Sequence, residues 1–261
     1  MKTEKIIKQQ AREALQGNAS ALIAMMGVVA AAYLLLNYVQ YVLLFLLDPS
    51  GAQTGTFSSK NLTVHLIQSF NNVILLLLSP LFNGALRGAA QTAQYRDCSA
   101  GDVFYYFRSP RRWGKTVLIN LLVFSLFSAA CFAFDIGSFT RALLPQLYEE
   151  ELSLSLNGFL AVFIDVVTVI LRVVFYMLFI HFPLTAYALH EHLKVEKCVF
   201  IMIGFSVLHF GELFRLMLSF IGWLALCFFV VPALYVIPYF ATASMLSSKW
   251  LFELDEGWSI A

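Results

Sequence analysis

Long apolar stretches without charge alternate along this chain with short stretches that collect most of its charges. Residues 19–47 contain no charged side chain. At ~1.5 Å per residue that run makes about 43 Å of helix, more than the ~30 Å of a hydrocarbon core, and it exceeds the 7–15 apolar residues of a signal peptide. It predicts an uncleaved first span. Further spans are predicted at 62–86, with Pro80 and Gly84 late in it, at 116–134, and at 157–189, which holds Asp165, Arg172 and His181. The run 216–248 is uncharged and too long for one upright helix; Pro232 and Pro238 divide it into short spans at 216–231 and 233–248, or kink it as a single span. The expectation is a single all-α domain over 1–261, a polytopic bundle of about six transmembrane helices.

The connecting pieces also carry pattern. In residues 1–17, Ile6, Ile7, Ala11, Ala14 and Leu15 fall on one half of a helical wheel, with Lys5, Lys8, Arg12 and Glu13 on the other, and Gly17-Asn18 supplies a stop. This predicts an interfacial helix lying on the inner leaflet. Asp102 is placed to cap a short helix with Phe104, Tyr105 and Phe107, followed by Arg108, Arg111 and Arg112. Aromatic residues beside arginines suit a surface of anionic lipid. Residues 198–208 are apolar but too short to span, and are expected at the inner interface or part-way in.

Composition supports the membrane reading. Hydrophobic residues make up 60% of the chain and charged residues 13%, with a mean hydropathy of +0.76, whereas soluble domains average roughly 45–50% and 25%. That excludes a soluble enzyme and a nucleic-acid binder. Charge placement predicts the orientation. Lys2, Lys5, Lys8, Arg12, Arg87, Arg96, Arg108, Arg111, Arg112, Lys115, Lys194, Lys197 and Arg215 lie in connections of one side; only Lys60 and Arg141 lie in the others, beside Asp48, Asp135, Glu149, Glu150 and Glu151. The expectation is a cell-membrane protein with a cytoplasmic N-terminus. Cys98, Cys131, Cys198 and Cys227 form no CxxC pair and read as small packing residues.

Ala11-Arg-Glu-Ala-Leu-Gln-Gly17-Asn18, Gly84-Ala-Leu-Arg-Gly88 before Val103-Phe-Tyr-Tyr-Phe107, and Ser206, Gly211, Phe214 and Leu216 leading into Ser219-Phe-Ile-Gly-Trp223 with Pro238-Tyr239 behind it together resemble the bacterial integral membrane family known as domain of unknown function 975. The resemblance covers nearly the whole chain and implies a bacterial multi-pass fold; it supplies no catalytic residues. The family's Ile-Pro-Gly stretch in the fourth span is replaced by His181-Phe-Pro183-Leu. Gly222 before Trp223 is expected to permit close helix approach.

Asp165 and Arg172 are the strongest site candidates, because an arginine in mid-span costs at least ~2.5 kcal/mol on insertion scales. Seven residues apart, they project from nearly one helix face, as a polar pair, and Asn71, Asn72 and Asn120 are alternative partners. His190-Glu-His192 invites a metal reading, but on a helix the two imidazoles point about 200° apart, and neither metal nor cofactor is expected. No GxSxG, Walker loop or kinase set occurs. Two function classes follow. One is a non-enzymatic protein acting by association with anionic lipid, through Lys5, Lys8, Arg12, Arg108, Arg111 and Arg112, or with a membrane-protein partner or a second copy of itself. The other is a transporter with a polar pathway near Asp165 and Arg172, which the broken run 216–248 keeps open; an intramembrane enzyme ranks third.

Overall fold

A computed structural model describes residues 2–47, 62–135, 156–227 and 230–254, and every regular element among them is helical. In chain order these are α1 (Lys2–Leu15), α2 (Ala19–Leu47), α3 (Leu62–Leu78), α4 (Pro80–Ala93), a 3₁₀ helix (Ala100–Arg108), α5 (Pro110–Ala133), α6 (Leu156–Tyr176), a π turn (Met177–His181), α7 (Phe182–Leu189), α8 (Val195–Leu208), α9 (Phe210–Ser219), α10 (Ile221–Leu226) and α11 (Val230–Leu254). The connections at 48–61 and 136–155, with Lys60 and Arg141, lie outside the described residues.

Four helical runs are long and apolar enough to cross a membrane: Ala19–Leu47, Thr63–Ala93, Pro110–Ala133 and Phe159–Leu189. Val195–Leu208 and Phe210–Ser219 qualify only together, bent by 66° at the break between them. The short segment expected around 198–208 is therefore half of a bent pair. Over 216–248 the helix bounds differ from those expected. Leu216 ends up in α9, and α11 runs as one helix through both prolines. Pro232 falls in the first turn of α11, where no intrahelical partner awaits its missing N–H, so it starts a helix and does not divide one.

Pro183 is handled differently. The π turn before it lets the Phe182 N–H reach back to Met177, and the Thr185 hydroxyl donates to the His181 carbonyl at 2.7 Å. The wider turn gives these groups partners beside a residue that has no N–H.

Helix α4 is the centre of the bundle. Leu81, Asn83, Gly84, Ala85, Leu86, Gly88, Ala89 and Ala90 are all buried, and α2, α11, α7 and the 3₁₀ helix pack around them. Small residues permit this closeness. A Cβ on Gly84 would sit 2.1 Å from the Val103 carbonyl oxygen, and one on Gly88 would sit 2.5 Å from the Met25 sulfur. Among the described residues nothing lies within 4 Å of the Cβ position of Gly222, whereas the close approach is seen on α4. Outward faces of α2 and α6 are apolar, with Leu34, Leu35, Val169 and Ile170 exposed, as lipid contact requires.

Inside the bundle, several polar side chains satisfy one another, while the Thr242 and Ser248 hydroxyls have no hydrogen-bond partner among the described residues. Asn83 donates to Asn120 at 3.0 Å, and Asn120 donates to the Ser79 hydroxyl at 2.6 Å. Thr116 and Tyr187 share a hydrogen bond of 2.9 Å, and His181 Nε2 lies 3.2 Å from the Ser244 hydroxyl. Such bonds fix neighbouring helices to each other where lipid offers no alternative partner.

Candidate functional site

Helix α1 ends at Gly17, whose φ of +94° is the left-handed cap that glycine adopts most readily. Its apolar stripe is not laid on lipid as expected. Ile7, Ala11, Ala14 and Leu15 are buried against α11 and α4, and only Ile6 points out. Inward burial of the stripe leaves the basic side of the helix at the surface. Glu4 pairs with Arg215 of α9 at 2.7 Å. Lys5 and Arg12 have no carboxylate partner among the described residues, and the Lys8 ammonium donates to the Ser219 carbonyl while lying 4.4 Å from the Phe220 ring centroid. Burial is the main reason the Lys8 amine titrates below its ordinary value, and the charge of Glu4 opposes that. Lys5, Lys8, Gln9 and Arg12 line a cavity of about 490 Å³ with Trp223 and Tyr239. The Tyr239 hydroxyl donates to the Lys8 carbonyl at 3.1 Å, which holds the helix in place.

A second cavity, of about 760 Å³, opens beside the 3₁₀ helix. Ser99 and Asp102 start that helix as a capping box, the Ser99 N–H donating to Asp102 Oδ2 at 3.0 Å, so Asp102 caps from the third position and not from the first. At three residues per turn, Val103 and Tyr106 share the inner face while Phe104 and Phe107 share the outer one. Arg108 turns back to Asp102 at 3.7 Å, whereas Arg111 and Arg112 line the cavity.

Its inner wall is built around Glu191. Arg87 Nε lies 3.1 Å from Glu191 Oε1, and the buried Tyr106 hydroxyl donates to Oε2 at 2.7 Å. Burial, and then the charge of Glu191, push the Tyr106 phenol well above its ordinary range, which keeps it a donor. Lys115 donates to the carbonyls of Glu191 and Leu193 at 2.6 Å each, fixing the loop 190–194. The guanidinium carbons of Arg87 and Arg112 lie 3.6 and 4.6 Å from the centroid of the Tyr105 ring. Asn18, just past α1, ties the two basic regions together: it donates to the Arg96 carbonyl at 3.0 Å and accepts from the Cys98 N–H at 3.2 Å.

Arg172 finds its ion-pair partner on another segment. Its Nη2 lies 3.1 Å from Asp135 Oδ2, just beyond the end of α5, and about half of its side-chain surface is exposed. Asp165 sits half-buried on α6, two turns earlier. Asn120 is committed to Asn83 and Ser79, away from Arg172. Of the candidates, Lys5, Lys8 and Arg12 are brought together in one cavity and Arg111 and Arg112 in another. Arg87, Lys115, Tyr106 and Glu191 were not singled out; Glu191 was read only as the middle of a His-x-His pair. Among the described residues no three metal-ligating side chains converge. Comparison of the chain with protein-family models, with curated proteins and with solved structures finds no match.

Proposed function

We propose that this chain is a multi-pass cell-membrane protein without enzymatic activity that works by association, holding anionic lipid headgroups at the basic face of α1. The observation that carries this reading is the cavity between α1, α10 and α11. Three cations face it, none is neutralised by a carboxylate bond, and Trp223 and Tyr239 frame it with the amphipathic rings favoured at a membrane–water interface. An arrangement of this kind suits a phosphodiester at the level of the headgroups. In this reading α1 lies on the cytoplasmic side, as the distribution of thirteen basic residues against two favours. The bent pair α8–α9 and helix α11 would complete about six crossings, and the chain would belong with the bacterial family that its Gly-Ala-Leu-Arg-Gly and Ser-Phe-Ile-Gly-Trp runs resemble.

The test is native mass spectrometry of the full-length protein released from nanodiscs of mixed phosphatidylglycerol and phosphatidylcholine. The wild type is expected to retain phosphatidylglycerol selectively. Lys5→Gln with Arg12→Gln should weaken that retention by about 2 kcal/mol, at roughly 1 kcal/mol for each basic residue. Equal retention of both lipids, or unchanged selectivity in the double variant, would refute the proposal.

A further inference from the structure

The larger cavity beside the 3₁₀ helix has a charge pattern that the lipid reading of α1 does not use. Four cations line it, Arg111, Arg112, Lys115 and Lys194, against two carboxylates, Glu191 and Glu196. Glu191 is already matched by Arg87 and by the Tyr106 hydroxyl. Lys115 spends its protons on two backbone carbonyls, but those carry no net charge to cancel its own. Arg111 and Lys194 make no ion pair or side-chain hydrogen bond among the described residues. Arg112 rests near the Tyr105 ring with its donors unspent on any acid. Only Glu196 on the lining opposes the excess.

We propose that this cavity binds a phosphate group carried on a larger molecule. A phosphate offers several acceptor oxygens and up to two negative charges, which suits two guanidinium forks and an ammonium better than a single carboxylate would. The volume, about 760 Å³, falls in the range of small-molecule sites and leaves room for a body beyond the phosphate. Tyr105, half-buried on the lining, provides ring surface for that body. The wall is rigid before any ligand arrives: Lys115 pins the loop 190–194, and the Arg87–Glu191–Tyr106 set fixes that loop to α4 and the 3₁₀ helix. Little ordering remains to be done on binding, which favours affinity. The phosphate could belong to a soluble compound or to a lipid headgroup reaching in from the bilayer.

The experiment uses full-length protein in phosphatidylcholine nanodiscs and reads ligand-induced thermal stabilisation. One arm adds glycerol phosphate, with sodium chloride at matched ionic strength as the control. The other replaces part of the phosphatidylcholine with phosphatidic acid. The expected result is stabilisation in one arm beyond its control, and that arm identifies the source. Arg111→Gln with Lys194→Gln should weaken binding about tenfold or more, the scale of losing a hydrogen bond to a charged group. Neither side chain supports the fold, so this variant should melt like the wild type without ligand. Both arms are repeated on the Lys5→Gln, Arg12→Gln background, and the response that survives there is expected to be lost when Arg111→Gln and Lys194→Gln are added, which separates this site from the one on α1. Stabilisation in neither arm, or an undiminished response in the Arg111 and Lys194 variant, would overturn the proposal.

Discussion

Gly84→Ala adds one methyl group at the centre of the bundle, and the geometry states what that methyl meets. Its carbon would lie 2.1 Å from the Val103 carbonyl oxygen, 2.7 Å from the carbonyl carbon and 2.9 Å from the Cα. An ordinary contact needs 3.4 Å or more. All three neighbours are backbone, so no rotamer change relieves the clash; the 3₁₀ helix must move away from α4 as a body. That helix also carries Tyr106, so the movement strains the hydrogen bond to Glu191 as well. Overpacking of a core costs about 1–3 kcal/mol, and a backbone clash belongs at the upper end. Alanine returns up to about 1 kcal/mol of helix propensity. The net loss should be about 2 kcal/mol, which corresponds to a fall of roughly 4–8 °C in Tm for a chain of this size. Thermal melting of purified protein in detergent measures it, with Gly114→Ala as the control, because nothing lies within 4 Å of the Cβ position at Gly114. If Gly84→Ala melts together with Gly114→Ala, the close approach of α4 to the 3₁₀ helix is wrong.

Arg172→Leu should be tolerated, because its pair with Asp135 is half exposed and such pairs contribute about 0–1 kcal/mol. In a double-mutant cycle with Asp135→Asn the melting effects should couple by about 0.5 kcal/mol, and strict additivity would refute the pairing. His190, packed 4.4 Å from the Phe252 ring centroid, has its imidazole held below the ordinary 6.5, chiefly by burial and further by His192, against the raising effect of its hydrogen bond to the Ala186 carbonyl. The unfolded chain then takes up the proton first, so stability is complete above pH 6.5 and drains as pH falls through and below that value. Tm should drop between pH 7.5 and 5.5, and His190→Gln should flatten the slope; an equal slope in the variant would refute this.

The helices of this chain are legible in its sequence because charge-free length is a physical requirement of crossing lipid. The first and third helices long and apolar enough to cross fall near 19–47 and 116–134 on that ground, and the fourth, near 157–189, on apolar length that tolerates Asp165 and Arg172. At 216–248 the prolines mark where a helix begins more closely than where one ends, since a proline in the first turn starts a helix as readily as it stops one. The apolar stripe of α1 was visible, but periodicity says only that a face is buried, not whether lipid or protein covers it. At α1 that cover is α4 and α11. Glu191 was hidden for a different reason. Its partners are more than eighty residues away in the chain, and no spacing rule links Arg87 or Tyr106 to it. Had Arg87 been asked for the acid it pairs with, instead of being counted only toward orientation, Glu191 would have been a candidate.

The polar groups of the bundle divide into two populations, and the division bears on mechanism. Several of those deepest in the interior answer one another, Asn83 with Asn120, Asn120 with Ser79, Thr116 with Tyr187 and His181 with Ser244, while the Thr242 and Ser248 hydroxyls of α11 have no hydrogen-bond partner among the described residues. A polar group already bonded to a neighbouring helix gains little from a passing solute and loses a bond by serving one. Arg172, which would mark a pathway if it faced a watery interior, instead reaches to Asp135 at the end of α5. Lys5, Arg12, Arg111 and Lys194, which have no carboxylate partner among the described residues, lie at open cavities. A protein that carries solutes across lipid needs its unsatisfied groups along the route, whereas one that holds ligands at a surface needs them at the rim. On the proposed reading, the cations at the two cavities answer to the second requirement.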